Sequence, residues 1–115
     1  MWFQLAISTF LFTLMHTLVW FSTNLQFVKG FDTGRSLLIA MILSLPITLC
    51  AFYATKTAYM AMSDSLWSVM FIGFGMSYLV FPILTWLVLG ESMFTVKTLL
   101  CIFLSIIIVC IQVFF

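Results

Sequence analysis

The sequence predicts an all-α integral membrane protein with four transmembrane helices and both termini on the same side. Three observations lead there. Of 115 residues, 65% are apolar and 6% are charged, against about 45–50% and about 25% in a soluble domain. The apolar residues fall into four long runs, each close to the ~20 residues that cross a hydrocarbon core of ~30 Å as a helix. The few charged residues and most breakers gather in three short segments between the runs. Four basic and three acidic side chains cannot clothe a water-facing surface, so lipid is the expected solvent and the expected first partner. One domain, 1–115, is the natural unit.

The first span covers about 2–22. No Lys or Arg precedes it and no small-x-small cleavage site follows, so it is expected to be a retained span rather than a signal peptide. Thr9, Thr13, His16 and Thr17 share one helix face, which Trp20 and Asn24 extend. Phe10, Leu11, Leu14 and Leu18 lie mostly away from it. Lipid cannot satisfy a polar stripe, so that face should meet protein or a cavity.

A loop over about 23–35 carries Lys29, Asp32 and Arg35 between Gly30 and Gly34. The second span, about 36–54, contains Pro46. Proline removes a backbone donor and crowds the carbonyl four residues back, so a kink is expected. The next loop, about 55–65, holds Lys56 and Asp64, with Tyr53 and Tyr59 suited to an interface. Ser63, Asp64 and Ser65 before Leu66 mark a helix start, where a side-chain oxygen can accept an orphan amide and the Asp64 charge favours the helix N-terminus.

The third span, about 66–89, is long enough to tilt or kink, and Pro82 supplies the kink. Gly73 and Ser77 form a small-xxx-small pair that permits close helix contact. Gly90, Glu91 and Ser92 open a third loop, and the fourth span covers about 96–115. Lys29, Arg35 and Lys97 flank loops at one end against Lys56 at the other. That excess weakly favours those loops inside and both termini outside.

Several function classes are disfavoured. A net charge of +1 without a basic cluster gives nucleic acid no surface to bind. Cys50, Cys101 and Cys110 lie in or beside apolar runs without framework spacing, which fits packing better than disulfides or zinc. Met60, Met62, Met70 and Met76 are scattered without a paired histidine or cysteine, so no metal site is expected. One histidine without a neighbouring acid, no nucleophile motif and no phosphate loop point away from an enzyme and from a cofactor.

The segment from Phe81 to Leu100, FPILTWLVLGESMFTVKTLL, resembles the late part of the repeat in the drug/metabolite transporter superfamily. There a proline-containing span leads into Leu-Gly-Glu and a final apolar helix. The four-span layout resembles the small multidrug resistance branch, matched at Trp86, Gly90 and Glu91, with Leu66-Trp67-Ser68 and 17–31 as weaker echoes. The resemblance is moderate over 78–112 and weak over 1–65. It implies a dimeric transporter in a bacterial-type inner membrane. The chain also departs from that branch. The membrane-embedded glutamate of the branch's first span is missing, and Phe12 or Thr13 stands in its place. The glycine pattern of the last span is missing too, and Cys101 and Ser105 leave a weaker small pair.

The expected function is therefore movement of a small neutral or amphipathic solute rather than a strong cation. The cavity would be lined by Thr9, Thr13, His16, Thr17, Trp67 and Trp86, with Pro46 and Pro82 as bending points and Gly90 and Glu91 as the loop motif. Set against this is a satisfied neutral His16 bonded to a neighbouring helix, and a Glu91 serving only the start of span four or pairing with Lys97. The alternative to a homodimeric transporter is an accessory subunit in a larger membrane complex, its 14 phenylalanines covering a hydrophobic partner.

Overall fold

The computed structural model describes residues 2–114. Met1 and Phe115, the limits of the expected domain and the last residue of the expected fourth span, lie outside the described residues. The described chain is helical throughout, with α1 at Trp2–Asn24, a 3-10 turn at Leu25–Phe27, α2 at Thr33–Ala61, α3 at Leu66–Leu84, a π turn at Thr85–Leu89 and α4 at Val96–Phe114. Four helical segments are long and apolar enough to cross a membrane: Trp2–Phe27, Thr33–Ala61, Leu66–Leu89 and Val96–Phe114.

The helices form a slab of 45 × 35 × 19 Å. α1 is the hub, packing most extensively against α2 and also against α3, while α4 leans on α3. The rings of Trp2 and Phe114 stand 6.1 Å apart, so the start of α1 and the end of α4 meet at one end of the bundle.

The interior is thin, and α2 contributes only small residues to it. Ala54, Ala58 and Ala61 on α2 are fully or almost fully buried, together with Leu5 and Phe12 of α1 and Val69 and Ile72 of α3. Their spacing puts the three alanines on one face, where the lack of a long side chain lets helices approach closely. Most large apolar residues point outward instead, among them Phe3, Leu45, Phe52, Phe74 and Phe103. That distribution inverts a soluble core and suits lipid or protein neighbours.

Two boundaries differ from the sequence expectation. α2 continues from the expected end at 54 to Ala61, which leaves only 62–65 as the connection to α3. Alanine favours helix, and burial of Ala58 and Ala61 holds the added turns. Lys56 is exposed on the other side, where its stem can run along apolar surface while the ammonium reaches polar surroundings. At its other end α2 begins three residues early, because the Asp32 carboxylate accepts the Arg35 amide at 2.7 Å.

α3 starts at Leu66, where expected, and of the three residues before it Ser65 is the cap, its hydroxyl accepting the Ser68 amide at 3.4 Å. Ser63 and Asp64 take left-handed backbone conformations, φ 53° and 62°, that turn the chain. Asp tolerates that conformation better than most residues, so its role is the turn itself.

Pro46 and Pro82 both lie inside helices. α2 runs on past Pro46, whereas α3 gives way to the π turn three residues after Pro82. The π turn ends at Gly90, whose φ of 74° needs a residue without a Cβ. Its amide closes the helix on the Trp86 carbonyl at 3.1 Å.

Candidate functional site

The site begins with one line of residues on α1. Leu5, Ser8, Phe12, His16 and Trp20 are its buried residues, spaced by three or four positions and therefore on one face. Thr9, Thr13 and Thr17 sit on the shoulder of that face, half-buried. Each donates its hydroxyl to the carbonyl four residues back, at 2.8 Å. Such back-bonding satisfies a hydroxyl inside an apolar helix without any outside partner.

His16 and Trp20 reach across to the α3 side instead. His16 Nε2 lies 2.8 Å from the Gly73 carbonyl oxygen, and Trp20 Nε1 donates to Thr85 Oγ1 at 3.0 Å. Gly73 matters here for space as well: a Cβ on it would stand 3.2 Å from Phe12 Cε1. His16 therefore bonds a neighbouring helix, through the backbone carbonyl of Gly73. Phe12 stacks on one side of its ring, centroids 6.3 Å apart, and Phe81 presents an edge at 5.8 Å.

An open cavity of about 200 Å³ lies between α1, α2 and α3, lined by Phe12, Met15 and His16, by Thr55, and by Leu66, Val69, Met70, Gly73 and Phe74. Its lining is apolar apart from His16 and Thr55, and no lining residue is acidic. Thr55 and Leu66 also border a trough of about 550 Å³ on the outer side of α2, with Phe52, Lys56 and Tyr59. Thr55 and Leu66 thus stand between the cavity and the trough.

Of the six residues expected to line a cavity, His16 alone borders this one. Trp67 is 72% exposed and stacks on Phe71 at 6.2 Å. Trp86 lies beyond the far end of α3 and meets Phe94 edge-on at 5.3 Å. The two tryptophans are thus separated by the length of α3. Glu91 borders a different cleft, of about 290 Å³, with Tyr78, Phe81, Pro82 and Thr85. Amides near the start of α4 bond Ser92 and Thr95 rather than Glu91: Phe94 N donates to Ser92 Oγ at 3.2 Å and Thr98 N to Thr95 Oγ1 at 3.3 Å. Phe81 stands against both His16 and the Glu91 cleft.

Thr55, Thr85 and the Gly73 carbonyl were not singled out in the sequence. In the sequence Gly73 is visible only as half of a small pair, and Thr85 sits five residues before Gly90 in an apolar run. Its pairing with Trp20 spans 65 residues, and no local pattern marks it. Among the described residues no group of three or more His, Cys, Asp or Glu converges as a metal site. No family model, curated protein or solved structure matches the chain.

Proposed function

We propose that the chain is an integral membrane protein of the drug/metabolite transporter type that moves a small neutral or amphipathic solute, working as a dimer with both termini on one side of a bacterial-type inner membrane. The observation that carries this reading is the cavity at His16. It places a polar side chain, 7% exposed, among apolar walls, and it shares Thr55 and Leu66 with the outer trough. A buried polar group inside a membrane helix is costly and marks a ligand path by default. The absence of an acid from the cavity lining favours a solute without a full positive charge.

A single chain provides only a slab 19 Å thick. Transport cavities at a midplane commonly form between two packed repeats, and a second copy would supply the other half. The test is counterflow in proteoliposomes with a panel of slowly permeating neutral and amphipathic solutes. Saturable exchange that depends on His16 is expected, and a panel without exchange would overturn the proposal.

The wide outward-facing apolar surface favours a second reading, an accessory subunit packed into a larger complex. Phe3, Phe10, Phe52, Phe74 and Phe103 are all exposed in the single chain. In that reading the same faces meet a larger partner instead of a second copy.

A further inference from the structure

We propose that His16 selects the cavity's ligand through Nδ1, admitting neutral, largely apolar molecules that carry one hydrogen-bond donor, with phenols and indoles as the chemical class. This rests on the solute-cavity reading above and adds the chemistry of its central polar contact.

The tautomer follows from the partner. Nε2 faces the Gly73 carbonyl oxygen at 2.8 Å, and a carbonyl can only accept. In the neutral imidazole the proton therefore sits on Nε2, and Nδ1 carries a lone pair. Nδ1 has no protein partner among the described hydrogen bonds, and the ring borders the cavity. The cavity thus presents an acceptor to whatever enters it. Thr55 adds a hydroxyl on the side shared with the outer trough.

Size and polarity narrow the class further. A dry cavity of about 150 Å³ accommodates benzene, so the 200 Å³ here suits one ring or a small bicycle. Phe12, Phe74, Val69 and the two methionines supply apolar contact. A pure hydrocarbon would fill the space and leave Nδ1 unpaired, which forfeits a hydrogen bond. A cation would enter without a counter-charge. A neutral ring bearing O–H or N–H meets both conditions.

The chain has a single histidine, so histidine labelled with nitrogen-15 gives one imidazole to follow. The experiment titrates the full chain in lipid nanodiscs with phenol and with toluene, which is close to it in shape but lacks the donor. Protein-free nanodiscs correct for partitioning. Ligand-free protein should show Nε2 protonated and Nδ1 bare. Phenol should shift the Nδ1 resonance and bind about threefold to tenfold more tightly than toluene, as one added hydrogen bond implies. Thr55→Val should keep that preference and His16→Leu should lose it. The wild-type comparison decides the matter even where the His16 variant does not fold. Equal binding of both probes would overturn donor selection while leaving the cavity reading intact. A proton on Nδ1 in the ligand-free protein would also overturn it. Binding of neither probe would overturn both readings.

Discussion

At the scale of single residues, two contacts between helices, one of α1 with the π turn and one of α3 with α4, carry testable weight. The Trp20–Thr85 hydrogen bond, 3.0 Å long with Trp20 1% exposed, joins α1 to the π turn. Interhelical hydrogen bonds in membranes average about 0.6 kcal/mol and reach about 1.7 kcal/mol. A double-mutant cycle of Trp20→Phe and Thr85→Val, read by unfolding in detergent, should give a coupling in that range. Additive effects would show that the bond contributes nothing. Gly75 makes the second test. A Cβ there would lie 2.7 Å from Val109 Cγ2, and a β-branched side chain has little freedom to turn away. Gly75→Ala should destabilise by about 1–3 kcal/mol, as overpacking does, and Val109→Ala should relieve it. Gly73→Ala, with its nearest atom at 3.2 Å on the Phe12 ring, should cost less. Equal costs at the two glycines would contradict this packing.

At the scale of elements, α2 is the longest. Its 29 residues extend ~44 Å at ~1.5 Å per residue, well beyond a hydrocarbon core of ~30 Å. The last two turns are held by Ala58 and Ala61 against the core. Hydrogen exchange should therefore protect the amides over 56–61 as strongly as those over 48–54. Rapid exchange there would restore the loop expected from the sequence. That loop expectation arose because Lys56 and two nearby tyrosines resemble interface markers, while the alanine face that decides the matter carries no hydrophobic signal of its own. Span existence, by contrast, was legible, since apolar runs of this length have few other uses. The start of α3 at Leu66 is legible in the sequence, and the π turn after Pro82 is not, because it depends on how the backbone accommodates the missing donor. In the site, His16 stood out as the one ionisable group deep within an apolar run. Its partner did not, since any backbone carbonyl can accept.

At the scale of the whole molecule, the described chain buries few side chains and turns many of its large apolar ones outward. Such a slab is incomplete without neighbours. In the transporter reading the neighbours are lipid and a second copy. In the accessory reading they are other proteins. Trp67 and Trp86 bear on this choice, because both face outward from opposite ends of α3. If they line a solute path, a second chain must bring the other wall. Trp67→Ala should then weaken the dimer measurably and leave the α1–α2 packing unchanged, as judged by hydrogen exchange at Ala54 and Ala58. The measurement that tests the central claim most directly is native mass spectrometry of the full chain extracted in mild detergent from its own membrane. A homodimer carrying only lipid is expected. Recovery of the chain in fixed ratio with a set of other membrane proteins would contradict it.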